Sequence, residues 1–220
     1  MPFIATVVRF PNQKENERIM NEKKKLITTD FDGTLTTHDT LLLFIRYAKG
    51  TKAFYKGFMA HLWLLVLMKL GWKSNEKVKE QLFSYYFKGT EISKFNEICC
   101  NFAHENSSIM RPKALEMLRD AQKDEAIVAV VTASIDNWVK PFFSEVCPNA
   151  IVVGTQIEVK DGIVTGSFAS RNCYGAEKVN RIKELFPDRE QYHITAYGDS
   201  SGDSEMLKYA DIQHYKPFRT

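Results

Sequence analysis

The feature that most constrains the fold of this chain is a short apolar strand that ends in two aspartates and a glycine. It reads TTDFDGTLT, from Thr28 to Thr36. Side chains alternate faces along a strand, but a glycine turn releases the second carboxylate from that alternation. Asp30 at the strand tip and Asp32 in the first turn can therefore point into one cleft beyond the carboxyl end of the strand. Open parallel sheets bind ligands in such clefts.

Strand-like and helix-like segments alternate along most of the chain. The segment AIVAVVT at 126–132 is too compact and too rich in β-branched residues to favour a helix. Further strands are predicted at 25–29, 151–153, 157–159 and 191–197, with a hairpin turn at Asp161-Gly162. Helices are predicted at 113–123, 137–145, 176–186 and 203–209. This alternation predicts an α/β fold with a doubly wound, mostly parallel sheet that helices cover on both faces.

The block from residue 39 to residue 110 interrupts the alternation because it carries no strand signal. Glycines at 50, 71 and 89 separate helix-length stretches. The predicted helices span 41–47, 53–70, 75–87 and 92–104. We therefore expect an N-terminal extension (1–22), an α/β core (23–37 and 111–220) and an all-helical cap (38–110) over the strand tips. A bundle with no part in catalysis is the alternative.

The second cap helix contains an unusually apolar segment. Its unbroken apolar run, residues 62–68, has seven residues, whereas a membrane span needs about 20. Tryptophans and lysines flank the run, as they do in helices that lie on a membrane surface. We expect most of Trp63, Leu64 and Leu67 to be buried in the cap, and we expect Trp63 or Trp72 to be the residue that faces the substrate entrance. Membrane contact is the alternative.

Composition sets limits on the classes of function. The 30 basic and 27 acidic residues give a net charge of +3, which is too small to indicate a nucleic-acid partner. The cysteines lack a paired CxxC spacing, and the histidines form no triad context. Residues 1–10 are short and weakly apolar, unlike a signal peptide. We expect a cytoplasmic protein, with peripheral contact at the inner face of the membrane as the alternative.

Three later segments complete a recognisable set with the first. They are VVTAS at 130–134, GAEK at 175–178 and YGDSSGD at 197–203. Together the four segments resemble the motifs of the haloacid dehalogenase superfamily of phosphotransferases, over residues 26–220. Within that superfamily the chain resembles the phosphoserine-phosphatase-like branch, which has a Rossmann-like core and a helical cap between its first and second motifs. The resemblance implies a phosphatase.

A bound divalent cation is expected because a carboxylate nucleophile can approach an anionic phosphate only if positive charge surrounds both. Mg²⁺ prefers oxygen ligands. Asp30 and Asp199 supply carboxylates at the tips of different strands, and the resemblance adds the backbone carbonyl of Asp32. Asp203, one helical turn beyond Asp199, would hold metal-bound water or orient Lys178.

The remaining predicted site residues bind the phosphoryl group or transfer protons. Thr132 ends a strand with its hydroxyl available to a phosphoryl oxygen, and the amide of Ala133 can donate a second hydrogen bond. The resemblance implies that Lys178 neutralises Asp30 and the phosphate. In the implied mechanism, Asp30 attacks phosphorus while Asp32 acts as general acid and then as general base. A carboxyl at Asp32 favours a phosphatase over a dehalogenase, because halide leaves without a proton.

The sequence leaves several substrates open. Phosphoserine phosphatases hold the substrate amine with an acidic residue nine positions after the nucleophile, where this chain has Asp39. They also use a cap arginine, whereas helix 75–87 contains lysines and no arginine. We expect a small soluble phosphometabolite. The apolar cap segment and the stretch 173–179 also resemble C-type phosphatidylglycerophosphatases, so a lipid phosphate at a membrane surface is an alternative. A catalytically idle interaction module is another.

Overall fold

The computed structural model describes residues 23–63, 70, 72 and 74–219. The predicted extension over residues 1–22 lies outside the described residues. The strands are β1 (Lys24–Thr29), β2 (Ile127–Ile135), β3 (Ile151–Thr155), β4 (Ile157–Lys160), β5 (Ile163–Phe168), β6 (Tyr192–Gly198) and β7 (Ile212–Tyr215). The helices are α1 (Thr40–Ala60), α2 (Asn75–Phe87), α3 (Ile92–Glu105), α4 (Pro112–Lys123), α5 (Asp136–Val139), α6 (Ala176–Leu185) and α7 (Ser204–Tyr209).

Five strands form a parallel sheet in the order β3-β2-β1-β6-β7. From β1 the chain winds outward through β2 and β3 on one side, and through β6 and β7 on the other. The reversal of strand order therefore falls between β1 and β6, and this is where open α/β sheets form their binding crevices. The predicted hairpin forms a separate antiparallel pair, β4-β5.

Both faces of the sheet are covered, and β2 shows why. Val128 and Val130 pack into a cluster with Leu118 of α4 and the cap aromatics. Alternate residues of β2, such as Val131, pack with Ile182 of α6 on the opposite face. Because successive side chains of a strand point to opposite faces, a continuous apolar strand fits between two helical layers. The predicted doubly wound α/β architecture is confirmed.

Two elements differ from the prediction. The helix expected at 137–145 is a short α5 followed by a 3₁₀ turn at Lys140–Phe143. Pro141 lies in this turn, and a proline supplies no backbone N–H to continue an α-helix. The edge strand β7 was missed because its sequence, IQHY, has no buried apolar pattern and every residue in it is exposed.

Helices α1, α2 and α3 lie between β1 and β2, where the all-helical insertion was expected. Gly50, with φ of 77°, breaks α1 into two helical parts, in agreement with the predicted stop. The ring of Phe44 in α1 stacks on Trp138 of α5 at a centroid distance of 4.7 Å. Aromatic packing thus joins the inserted helices to the sheet layer. The exact division into core and cap stays a prediction.

The described residues of the apolar cap segment are more exposed than predicted. Trp63 is 55% exposed and Trp72 is 76% exposed, so core burial, which was expected for most of the segment, does not hold for these two residues. Neither tryptophan lines the pocket described below. Leu64 and Leu67 lie outside the described residues. Within the described part of the chain, no helix has the length and apolar character that crossing a membrane requires.

Candidate active site

A pocket of about 390 Å³ opens at the carboxyl ends of β1 and β6. Asp30 directly follows β1 and Asp199 directly follows β6, and these neighbouring strands flank the reversal of strand order. The amide of Asp30 donates to the carbonyl of Tyr197 at 2.9 Å, which extends the sheet pairing to the predicted nucleophile. All the predicted site residues line this pocket: Asp30, Asp32, Asp39, Thr132, Ala133, Lys178, Asp199 and Asp203.

Lys178 lies at the centre of a buried charge cluster. It is 2% exposed, and its ammonium donates to Asp30 Oδ1 and to Asp203 Oδ1, each at 2.6 Å. Burial by itself lowers the pKa of Lys178, but the two carboxylate charges outweigh burial and raise the pKa above its ordinary value. Burial raises the pKa of Asp30 to about 7 against the opposing charge of Lys178. Lys178 is therefore a fixed cation beside Asp30.

Asp203 orients Lys178 and closes the loop after β6. Its Oδ2 accepts hydrogen bonds from the amides of Asp199 (3.1 Å) and Ser200 (2.9 Å) and from the Ser200 hydroxyl (2.8 Å). Burial by itself raises the pKa of Asp203. The charge of Lys178 and the hydrogen bonds from Lys178 and Ser200 lower it by more, so the pKa lies below its ordinary value. Gly198 is needed here because a Cβ at this position would lie 2.5 Å from the Asp203 Cβ.

Asp199 approaches the turn that follows β1. Its Oδ1 accepts a hydrogen bond from Thr34 Oγ1 at 3.2 Å, and its Oδ2 forms an ion pair with Arg219. Gly33 has φ of 74°, and a Cβ there would lie 2.7 Å from Asp199 Oδ2. Glycine therefore permits both the turn and the close approach of the two strand ends.

Asp32 is held by three hydrogen bonds. Its Oδ1 accepts from the amide and the hydroxyl of Thr40, each at 2.7 Å, and its Oδ2 accepts from Ser134 Oγ at 2.6 Å. The indole of Trp138 donates to Thr40 Oγ1 at 3.1 Å, which fixes that hydroxyl in turn. Burial, followed by the charge of Asp39, raises the pKa of Asp32, and the bonds from Ser134 and Thr40 partly offset this shift. A raised pKa suits the predicted role of Asp32 as a general acid, which must first donate a proton.

Thr132 and Ala133 form the floor of the pocket at the carboxyl end of β2. Thr132 is fully buried, and its Oγ1 accepts a hydrogen bond from the Ser134 amide at 3.0 Å. The Ala133 carbonyl accepts hydrogen bonds from Thr155 Oγ1 at 2.7 Å and from the ammonium of Lys79. Lys79 belongs to the cap helix α2, so the cap reaches the predicted phosphoryl-binding loop directly.

Asp39 is exposed at the start of α1. Its Oδ1 accepts a hydrogen bond from the Leu41 amide at 2.9 Å and so caps the helix. Asp39 also lines the pocket, so it can cap the N-terminus of α1 and still make the predicted contact with a substrate amine. That contact stays a prediction.

The donor set fits a magnesium ion. One carboxylate oxygen from each of Asp30, Asp199 and Asp203 lies within 4.8 Å of the others, and Mg²⁺ prefers such oxygen ligands. The Asp32 side chain is not in this cluster, and the predicted ligand at that residue is its backbone carbonyl. Five carboxylates and two lysines line the pocket, so a divalent cation would reduce the excess of negative charge.

Several pocket residues were missed from the sequence. Ser134 and Asn172 line the pocket, and Thr40 supports it by donating to Asp32. All three are small polar residues whose roles depend on tertiary contacts. Lys79 did carry a signal, because Lys79, Leu82, Phe83 and Tyr86 follow the i, i+3, i+4, i+7 pattern of one helix face, and all four are buried. A lysine within an apolar stripe indicates a charge that faces a site.

Comparisons with known proteins identify the family of the chain. A family model for the haloacid dehalogenase-like hydrolases matches residues 27–208, which is most of the chain. The chain belongs to this family. The predicted superfamily and the predicted hydrolase class are thereby confirmed. Protein CicA of Caulobacter vibrioides (strain NA1000 / CB15N) is 31% identical over 203 residues, which are 91% of this chain and 89% of CicA.

Solved structures share the fold. A protein of unknown function from Bordetella pertussis Tohama I is 16% identical, with a TM-score of 0.74, over 87% of this chain and 89% of that one. A phosphoserine phosphatase, solved as an analogue of its phospho-aspartyl intermediate, is 22% identical with a TM-score of 0.55, over 87% of this chain and 85% of that one. The predicted likeness to the fold of phosphoserine phosphatases is confirmed.

Proposed function

We propose that this protein is a Mg²⁺-dependent phosphatase that hydrolyses a phosphate monoester of a small soluble metabolite through an aspartyl phosphate on Asp30. The observation that carries the proposal is the buried cluster of Asp30, Lys178 and Asp203, with Asp32 and Asp199 in the same pocket. Burying three charges is costly unless they are mutually paired. Such a cluster at a ligand-binding crevice favours chemistry over a purely structural role.

In the first half-reaction, Asp30 Oδ forms a bond to phosphorus as the bond from phosphorus to the ester oxygen breaks. Lys178 and Asp203 hold the nucleophilic carboxylate in a single orientation, since Lys178 bonds both. Asp32 donates its proton to the departing alkoxide, and its raised pKa favours this acid form. The alcohol leaves and the phosphoryl group stays on Asp30.

In the second half-reaction, Asp32 accepts a proton from a water molecule that attacks the same phosphorus. The bond between phosphorus and Asp30 breaks, which releases phosphate and restores the carboxylate. Thr40 and Ser134 keep Asp32 in place for both steps through their hydrogen bonds to its two oxygens. One side chain thus serves first as acid and then as base.

The phosphoryl group is bound from several directions. Thr132 Oγ1 and the Ala133 amide would donate to its oxygens, and Lys178 supplies positive charge. Asp30, Asp199 and the carbonyl of Asp32 would hold Mg²⁺, with Asp203 acting through Lys178 and the loop. When bound, the ion neutralises negative charge on the phosphoryl group and the nucleophile.

The direct test is hydrolysis of p-nitrophenyl phosphate by the purified protein with Mg²⁺ and with EDTA. We expect turnover with Mg²⁺ and loss of turnover with EDTA, restored by excess Mg²⁺. A panel of soluble phosphometabolites would then identify the substrate. Absence of turnover under every condition would contradict the proposal and favour an idle interaction module.

A lipid phosphate is the second candidate substrate, because the cap presents an exposed apolar and basic surface. Its exposed apolar residues are Tyr55, Met59, Leu62, Trp63, Leu70 and Trp72. Residues 51–75 contain four lysines and no aspartate or glutamate. Tryptophan and lysine together suit the boundary of an anionic bilayer. The segment ends at Asn75, which lines the pocket, so a membrane on this surface would lie near the pocket mouth.

Vesicle cosedimentation separates the two substrate classes. Under the lipid hypothesis, the protein binds vesicles containing phosphatidylglycerol, and joint replacement of Trp63 and Trp72 by serine abolishes binding without lowering Tm. Leu185→Ser, which changes an exposed apolar residue of α6, is the matched control and should leave binding intact. Absence of vesicle binding by the unmodified protein would leave the soluble substrate as the supported proposal.

A further inference from the structure

Lys79 is a second buried cation in the pocket, and its surroundings differ from those of Lys178. It is 9% exposed and lines the pocket from the cap side. Its ammonium donates to the carbonyl of Ala133 and to Asn172 Oδ1, the latter at 3.2 Å. Both acceptors are neutral. Among the residues that the structure describes, no carboxylate oxygen lies within 4.0 Å of this ammonium.

A buried charge without a direct counter-ion is energetically unfavourable. Its loss of hydration costs several kcal/mol unless an opposite charge compensates it, as order-of-magnitude estimates for buried ions indicate. An ammonium has three N–H donors, and the two observed acceptors use two of them. The charges of Asp32, Asp39 and Asp30 act on Lys79 only from a distance. The remaining donor can bind an anion in the pocket, which would supply a counter-ion in direct contact and a third hydrogen bond.

We propose that Lys79 forms a subsite for a second anionic group of the substrate, so that the preferred substrates are small phosphomonoesters that also carry a carboxylate or a second phosphate. The inference rests on the proposed phosphatase function. Lys79 contacts the carbonyl of Ala133, and Ala133 adjoins Thr132 in the proposed phosphoryl-binding loop. The second anion therefore lies within a few bonds of the ester oxygen.

The charges of the pocket make this subsite selective. Five carboxylates line the pocket, whereas its lysines are Lys79 and Lys178. Lys178 is already bonded to two carboxylates, so an anionic group away from the phosphoryl site has one favourable position. Lys79 would thus choose among substrates and orient them, without touching the reacting atoms.

Three two-carbon esters whose far groups carry different charges test the subsite. They are 2-phosphoglycolate (anionic), 2-hydroxyethyl phosphate (neutral) and phosphoethanolamine (cationic). We expect the highest kcat/KM for 2-phosphoglycolate. Lys79→Met should lower that value by about 10- to 100-fold, as expected for a hydrogen bond between charged groups, and should change the value for 2-hydroxyethyl phosphate by less than about threefold.

Two further variants control for structural effects. Lys79→Arg keeps the charge and should retain most of the preference for the anionic ester. Lys77→Met removes an exposed lysine from the same helix and should leave all three values unchanged. If Lys79→Met lowered kcat/KM equally for the three esters, the subsite would be overturned. Lys79 would then act on the phosphoryl group that the esters share, or on the position of the cap helix. Lys79→Gln supplies the same comparison if the methionine variant does not fold.

A binding measurement separates failure of the subsite from failure of the proposed function. In an Asp30→Asn background, calorimetry should give a Kd for 2-phosphoglycolate at least about tenfold below that for 2-hydroxyethyl phosphate. Adding Lys79→Met should remove the difference. This result would support the subsite even if the unmodified enzyme turned over none of the esters, whereas equal affinities in the Asp30→Asn background would overturn it. Absence of turnover with Mg²⁺ would contradict only the phosphatase.

Discussion

The two buried lysines of the pocket show how differently its two sides are built. Lys178, on the sheet side, donates to Asp30 and Asp203 at 2.6 Å each, so its charge is balanced within the protein. Lys79, on the cap side, donates to neutral oxygens of Ala133 and Asn172. Lys178 thus has carboxylates in direct contact, whereas Lys79 has none among the described residues. We infer that the sheet side carries the reaction and that the cap side selects the substrate.

The largest expected effect is on the sheet side. Asp30→Asn should reduce kcat for p-nitrophenyl phosphate by at least about 10³-fold, because an amide is a poor nucleophile and a poor metal ligand. Asp203 still pairs with Lys178 in this variant, so the fold should persist. Asp120→Asn, at an exposed position of α4, is the matched control. Retention of more than about a tenth of the activity would remove Asp30 from the mechanism.

Loss of the acid/base should depend on the leaving group. Asp32→Asn should slow hydrolysis of an alkyl phosphate by about 10²- to 10⁴-fold. The loss should be smaller for p-nitrophenyl phosphate, because nitrophenolate departs without a proton. Steady-state kinetics on the two substrates give this ratio directly, and equal losses on both would count against proton donation by Asp32.

Stability separates the two lysines without any assay of catalysis. Lys178→Met should lower the free energy of unfolding by about 3–5 kcal/mol, because it leaves Asp30 and Asp203 as buried charges without their partner. Lys79→Met should change it by no more than about 1 kcal/mol. Both acceptors of Lys79 keep a contact with Thr155 Oγ1, at 2.7 and 3.2 Å, and the variant no longer buries a charge.

Urea denaturation at pH 7 measures both values. If Lys79→Met were as destabilising as Lys178→Met, both lysines would stabilise the fold through contacts within the protein. Lys79 would then be a structural cation, and the contrast between the two sides of the pocket would be lost.

The smallest effect concerns pH. Burial lowers the pKa of Lys79 to about 8, so its cation is present below that pH and is lost above it. The charges that oppose this shift belong to Asp32, Asp39, Cys173 and Asp30. The preference for 2-phosphoglycolate over 2-hydroxyethyl phosphate should therefore fall by a few fold between pH 7 and pH 9.5. The ester phosphate keeps its charge over this range because its second pKa is about 6.

Lys79→Arg is the control, since a guanidinium does not titrate in this range. Its preference should stay constant with pH. A parallel fall in the arginine variant would assign the pH effect to another group.

The sheet side could be predicted from sequence because its residues lie in local patterns. Asp30, Thr132 and Asp199 each lie at or just beyond the end of an apolar strand, and parallel strands bring their carboxyl ends to one edge. The motif residues Asp32, Lys178 and Asp203 could then be assigned through the family resemblance. Contacts that only the folded structure creates were not predicted. Examples are the hydrogen bonds from Thr40 to Asp32 and from Lys79 to the carbonyl of Ala133.

The exposed cap surface was mispredicted for a related reason. Apolar character in Trp63 and Trp72 predicts burial only if another element covers them, and the sequence does not say which face of a helix a neighbour occupies. The edge strand β7 was missed because all of its residues are exposed and its sequence shows no alternation of apolar and polar residues.

The most direct test of the mechanism is chemical trapping of the covalent intermediate. Turnover is quenched with acid, the protein is reduced with borohydride, and its peptides are analysed by mass spectrometry. Borohydride converts an aspartyl phosphate to homoserine, so we expect homoserine at position 30 in samples quenched with substrate and Mg²⁺, and aspartate there without substrate. Unmodified Asp30 during turnover, or homoserine at another aspartate, would contradict the assignment of Asp30 as the nucleophile.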